Sequence, residues 1–334
     1  MGVTAEEVVS ITRAEIAGSI ERLTAAAKEV AEERVQALGD KIISAFSGRP
    51  ELFAAFSDPD FQFSLRDAAR TAASTDDAHT EQLLIDLLTN RAEEGNATRV
   101  RLATGQAIRA ADKLSRDALA GLTAVWTLSY LSSTGETFRE RLEGESQDAA
   151  TLLALDLPTD NGWVGDLDIL NLARRQLLGG RNAYVDVLAR RFGDFLVPGA
   201  DSSADQALLS EAEAAAPELR DLLAEHPLKP GFVMLTPPDE KAVKAALSEQ
   251  AADSPSVIAL IGKNGYGMED NTARSSLAAL ADAAPLATVR DWWGNVPAFD
   301  FTVAGDVIGF VNARRHFAIG NARSVADLLR LRAS

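Results

Sequence analysis

Between Thr4 and Gly48 the chain places apolar residues on a single helical face: Val9, Ile16, Ile20, Leu23, Ala27 and Val30, then Val35, Leu38, Ile42 and Phe46. Residues three, four or seven apart share one side of an α-helix, so this stripe predicts an amphipathic helix over residues 1–47. Thr4-Ala5-Glu6-Glu7 has the form of a capping box at its start. Gly48-Arg49-Pro50 supplies the stop, and past Val30, Gly39 is the one interruption. About 40 residues of helix rise about 60 Å, longer than most domains are wide. Such a helix packs along its own chain or along a second copy of itself. The stripe residues Val9, Ile16, Ile20, Leu23 and Val30 are therefore the candidates for a homo-oligomer interface.

More helices follow. Ser57-Asp58-Pro59-Asp60 has Ser57 at the cap, a proline in the first turn and two carboxylates at the positive end of the helix dipole. Helical spacing recurs over 80–94, 98–131, 134–142, 166–178 and 182–195, which makes residues 48–198 a helical domain. The most apolar window, residues 118–131, spans about 14 residues, short of the roughly 20 that cross a bilayer, and so predicts a buried core helix. Residues 199–228 are predicted as an acidic linker helix, capped at Ser203-Ala204-Asp205-Gln206 and ending near His226-Pro227.

From residue 229 the pattern is mixed. Phe232–Leu235 predicts a strand, Thr236-Pro237-Pro238-Asp239 a helix start, and residues 257–261 an apolar run compatible with either. Gly294-Asn295 between two extended runs, 286–293 and 298–301, predicts a hairpin. Thr302 caps a last helix. The expected fold class is mainly α, a long N-terminal helix and bundle followed by a small α+β domain over residues 229–334.

Charge narrows the function. The chain has 49 acidic and 33 basic residues, a net charge of -16. Residues 229–334 carry 11 of each sign, leaving 38 acidic and 22 basic for residues 1–228. Nucleic acid is not the expected partner of an acidic surface, because phosphate contacts need Lys or Arg. The absence of Cys removes thiol nucleophiles, disulfides and Cys-ligated metals. No basic-then-apolar leader is visible at the start, so a cytoplasmic location without a membrane contact is expected.

No motif is complete. Gly262-Lys263-Asn264-Gly265-Tyr266-Gly267 follows an apolar run as a phosphate loop would, but Met268 and Glu269 stand where Lys and Ser or Thr are needed. Asp156, Asp160, Asp166 and Asp168 lack the calcium-loop frame around Gly162. His79, His226 and His316 have no partner at ligand spacing. No cofactor, metal or catalytic residue is assigned, and the chain is expected not to be an enzyme. Trp292 and Trp293 offer an aromatic surface to a protein partner.

The order helix, two-stranded wing, then Phe299-Asp300-Phe301-Thr302 with Gly305 resembles winged-helix domains over residues 256–316. That resemblance implies a recognition helix carrying Arg274, with Arg314 and Arg315 as further phosphate contacts. Phe56-Ser57-Asp58-Pro59-Asp60-Phe61-Gln62 is similar to the helix start of an uncharacterised, mostly helical bacterial family. The C-terminal pattern is similar to that of abortive-infection proteins. The leading expectation is a non-enzymatic, oligomeric interaction or scaffold protein with a protein partner at the C-terminal module. The alternatives are a DNA-associated or phage-defence factor, and an enzyme without a recognisable motif.

Overall fold

A computed structural model describes residues 25–94, 98–176, 180–317 and 324–326. In chain order the helices are α1 (Ala25–Ser47), α2 (Pro59–Ser74), α3 (Ala78–Glu94), α4 (Thr98–Ala110), α5 (Arg116–Tyr130), α6 (Phe138–Leu153), α7 (Gly162–Ile169) and α8 (Tyr184–Arg191). They continue with α9 (Gln206–Ala215), α10 (Leu219–Leu222), α11 (Glu240–Ala246), α12 (Glu249–Ala252), α13 (Pro255–Asn264), α14 (Asn271–Leu280), α15 (Leu286–Asn295) and α16 (Val303–His316). The strands are β1 (Ala173–Arg175), β2 (Ala200–Asp201), β3 (Leu223–Glu225), β4 (Phe232–Leu235) and β5 (Phe299–Phe301). The chain is mainly helical with small antiparallel sheets.

It divides into two compact units. Unit 1 comprises residues 1–131, 151–181 and 295–334, and unit 2 comprises 132–150 and 182–294. The predicted boundaries at 48, 199 and 229 follow sequence order, whereas this division threads the chain between units and takes α16 away from the segment before it.

Unit 1 is built around α16. Residues Ala304 to Ala313 are all buried, as expected for a helix packed on every side. It lies against α3, α4 and α5. Small residues permit the close approaches: a Cβ on Gly309 would stand 2.5 Å from the Trp126 ring. Thr302 caps α16 as the sequence predicts, its Oγ1 accepting the Gly305 N–H at 3.2 Å. The buried Asn312 amide donates to Thr123 Oγ1 at 2.8 Å, which fixes α16 against α5.

The stripe of the first helix is resolved in part. Val9, Ile16, Ile20 and Leu23 lie outside the described residues. Within α1, Ala31, Val35, Leu38, Ile42 and Phe46 are buried on their own chain, against α2 and α3. Val30 alone among the candidates stays 45% exposed. The Phe56–Gln62 segment is a clasp. Asp58 caps α2 by accepting the Asp60 N–H at 3.0 Å, and the buried Arg91 guanidinium reaches Asp58 at 3.1 Å and Asp60 at 3.3 Å. Phe56 packs edge-on to Phe61 at 5.0 Å between centroids.

Four predicted elements differ. The helix over 98–131 breaks into α4 and α5 because Ser115 starts a new helix, its hydroxyl accepting the Ala118 N–H at 3.1 Å. The helix over 166–178 stops at Ile169 and gives way to β1, which pairs with β5. The linker helix over 199–228 ends at Ala215, and β3 follows beside β4. The hairpin over 286–301 does not form. Leu286, Val289 and Trp293 are buried along one face of α15, and β5 pairs with β1 through Ala173 opposite Phe301. The wing that the winged-helix resemblance requires is therefore absent from residues 286–301.

Unit 2 gathers α8–α14 and a three-stranded sheet in the order β2-β4-β3, all antiparallel. Leu235, Val243, Val257, Leu260 and Leu219 form its core. Charge redistributes accordingly: unit 2 carries 22 acidic and 11 basic residues, unit 1 carries 27 and 22. Most of the net negative charge belongs to unit 2.

Candidate functional site

In unit 1 a groove of about 770 Å³ runs between α4 and the β5–α16 junction. Arg99, Leu102, Ala103 and Gln106 line it from α4, Asn171 and Arg174 from the β1 side, and Asp300 to Ala304 from the other. Each part follows from local sequence. Leu102 stands on the outer face of α4 and is 65% exposed, while Val100, Ala103 and Ala107 face inward. Asn171 takes a left-handed conformation, φ 53°, which Asn tolerates better than most residues. Its carbonyl receives the Gln106 amide at 3.1 Å and Thr302 Oγ1 at 2.8 Å. The turn is thereby tied to both walls.

The polar character of the groove is cationic. Arg174 sits opposite Asp300 in the β1–β5 register, but Asp300 Oδ1 accepts from Gln176 Nε2 at 3.0 Å, and among the described residues no carboxylate lies within ion-pair distance of Arg174. Arg99 also has no hydrogen-bond or ion-pair partner among the described residues. Two exposed guanidinium groups thus flank an apolar floor of Leu102, Ala103, Phe301 and Val303. This arrangement can bind a solvent-facing anion next to an apolar group. It offers no nucleophile paired with a base.

The residues singled out in the sequence lie elsewhere. Arg314 pairs with Glu93 at 2.7 Å and stacks over Phe310 at 5.5 Å, and Arg315 reaches Asp86 at 3.4 Å. With Arg49 they line a cavity of about 200 Å³ whose charges are largely matched inside it. Burial would raise the Glu93 carboxyl, but hydrogen bonds from Arg314 and Arg49 outweigh it and hold it below its usual range. Arg274 is engaged by Glu269 and Asp186 in unit 2. None of these three is free to meet a phosphate. Trp293 is buried with Nε1 donating to Asn182 O at 2.8 Å, and Trp292 is half-buried beside it on α15.

The weak motifs become structural. Gly262, Lys263 and Asn264 form the last turn of α13, and Gly265 is its left-handed cap, φ 68°. A helix C-terminus presents carbonyls, the opposite of a phosphate cradle. Lys263 pairs with Asp205 at 2.9 Å. His226 is buried, its Nδ1 accepting the Leu228 N–H at 3.2 Å and Nε2 standing 2.9 Å from Val197 O. Burial pushes its pKa down, so the ring is neutral and serves as a strut. Among the described residues no group of three or more acidic or His side chains is placed to hold a metal, and no helix is long and apolar enough to cross a membrane.

Sequence reasoning did not find Arg99, Leu102 or Arg174. Arg99 and Leu102 share one side of α4, but Arg174 comes from a distant segment and no spacing rule links it to them. The signal that was present is an exposed-face Leu on an otherwise polar side of α4.

Neither the curated proteins nor the solved structures contain a match to this chain. The model of one protein family of uncharacterised function matches residues 2–323, and on that near-complete span the chain belongs to this family.

Proposed function

We infer that the protein is a non-enzymatic interaction protein whose recognition site is the groove of unit 1, and that the groove takes an acidic, partly apolar peptide segment of a partner protein. The observation that carries this is the pair Arg99 and Arg174, both without a carboxylate partner among the described residues, on either side of an apolar floor that includes the exposed Leu102. An open groove with mixed polar and apolar lining suits a peptide better than a small molecule, which is normally enclosed over most of its surface. Charge complementarity selects the acidic partner.

The test is fluorescence anisotropy with a labelled 12-residue peptide of alternating Glu-Glu and Leu-Leu pairs. Saturable binding at low salt is expected, weakening at least about tenfold in the Arg99→Glu/Arg174→Glu double variant, a loss of about 1.4 kcal/mol. The folding stability of the variant should stay within about 0.5 kcal/mol of the parent, since both side chains are exposed. No binding at about 50 mM salt, or equal binding by the variant, overturns the reading.

A second reading concerns α1. Its opening residues, Ala25, Ala26, Ala27, Glu29 and Val30, are exposed, while Ala31 onward is buried on the chain. The apolar stripe continues upstream in sequence through Leu23, Ile20 and Ile16. This supports self-association through the N-terminal stripe. Light scattering should give a mass above 35.5 kDa that falls to the monomer in the Ile20→Asp/Val30→Asp variant. A monomer in the parent protein removes this reading and leaves the groove untouched.

A further inference from the structure

Unit 2 contains a polar cluster that the groove does not use. Ser133 Oγ stands 3.0 Å from Glu145 Oε1 and 3.1 Å from Asp148 Oδ2, and the Ser133 N–H reaches Glu145 Oε1 at 3.3 Å. A hydroxyl has one proton to donate. Glu145 is 2% exposed, pairs with the Arg191 guanidinium and accepts the Ser133 N–H. Both carboxylates draw on the one Ser133 hydroxyl proton, and a proton on Asp148 donated to Ser133 Oγ lets both contacts be hydrogen bonds. Without that proton, two sets of lone pairs face each other at hydrogen-bond distance.

The surrounding charges agree. Glu145 and Asp148 face the cluster from α6, and Arg191 and Tyr184 from α8. Arg141, alongside, is committed to Asp194 at 2.7 Å. One guanidinium therefore serves two carboxylates, and the half-buried site balances only with a proton on one of them. Burial pushes the Asp148 carboxyl up and neighbouring Glu145 adds to it, against the hydrogen bond that Ser133 can give the ionised form and the charge of Arg191.

We propose that the proton on Asp148 is a pH-sensitive latch that fastens residues 132–150 to α8. With the proton in place the chain Asp148 to Ser133 to Glu145 to Arg191 is fully hydrogen-bonded. Its loss leaves a second negative charge in the seam with no cation of its own. A carboxyl held above its ordinary value of 3.8 in the folded chain binds its proton more tightly folded than unfolded. Its stabilising contribution is complete below that ordinary value and is lost as pH rises through the higher folded value.

The test compares the full-length parent with Asp148→Asn, whose amide donates to Ser133 at every pH. In thermal melts from about pH 3 to about pH 8, the variant's stability relative to the parent should increase as pH rises above the ordinary carboxyl value of 3.8. Hydrogen exchange at pH 8 should be faster in peptides from 138–150 of the parent than in those of the variant. Parallel pH profiles for the two proteins overturn the proposal. Should the variant fail to fold, the carboxyl carbon of Asp148 in the parent is titrated by NMR. A midpoint above the ordinary carboxyl value supports the latch, and one at or below it overturns it.

Discussion

Gly305→Ala is expected to cost about 3 kcal/mol or more and to lower the melting temperature of unit 1 by about 6–12 °C. A Cβ at this position would stand 2.0 Å from the Leu172 carbonyl oxygen and 3.0 Å from its carbon. The obstacle is backbone, so no rotamer change relieves it. Leu172 cannot retreat without loss, because its oxygen accepts the Thr302 N–H at 3.0 Å and lies 3.1 Å from Thr302 Oγ1. The cap of α16 and the turn beneath the groove would fail together. Gly262→Ala is the control. It sits in α13 with open space around it and should be neutral or stabilising by up to about 1 kcal/mol, as Ala is a better helix former. Differential scanning calorimetry on both variants separates the steric effect from the generic one.

Arg191→Ala is the second large effect, about 3–5 kcal/mol of destabilisation in urea unfolding. The Arg191 and Glu145 side chains are only 5% and 2% exposed, so truncating the cation leaves a buried carboxylate with the neutral Ser133 donors and no counter-charge beside it. Replacing both residues, Arg191→Met with Glu145→Leu, removes the charges together and should recover most of the loss. A double variant as unstable as the single one would mean that the damage comes from lost packing around Arg191 and not from the orphaned charge.

Much of the helical part was legible because its signals are local. The proline-led start of α2, the helix start at 236–239, the cap at Thr302 and the apolar run in α5 appear where periodicity and capping rules place them, although the cap of α2 falls on Asp58, one residue past the expected Ser57. The failures at 166–178 and 286–301 have one cause in common, which is pairing over long sequence distance. Gly294-Asn295 looks like a hairpin turn because β5 needs a strand partner, and the nearest extended run in sequence was taken. The true partner, β1, lies more than a hundred residues earlier. The helical spacing of Leu286, Val289 and Trp293 was visible and was overridden by that turn signal. Charge was misassigned for the same reason. Residues 229–334 balance as a segment, yet α16 belongs to unit 1, and the remainder joins the acidic residues of 132–150 and 182–228.

The groove was the least legible feature. Arg99, Arg174 and Phe301 meet only after α4, the Asn171 turn and the β1–β5 ribbon are in place. Cationic side chains flagged by sequence alone, Arg274, Arg314 and Arg315, proved to be those neutralised by nearby carboxylates. A basic residue matters to a partner when folding leaves it without an acidic neighbour, and that property is invisible in a linear pattern.

The central claim is that partner recognition takes place in this groove. Hydrogen-exchange mass spectrometry of the full-length protein, with and without the Glu/Leu peptide, tests it most directly. The account predicts added protection confined to α4, the segment 171–176 and the β5–α16 junction, and lost in the Arg99→Glu/Arg174→Glu variant. Protection centred on any other surface, or an unchanged exchange profile at a saturating peptide concentration, would contradict it.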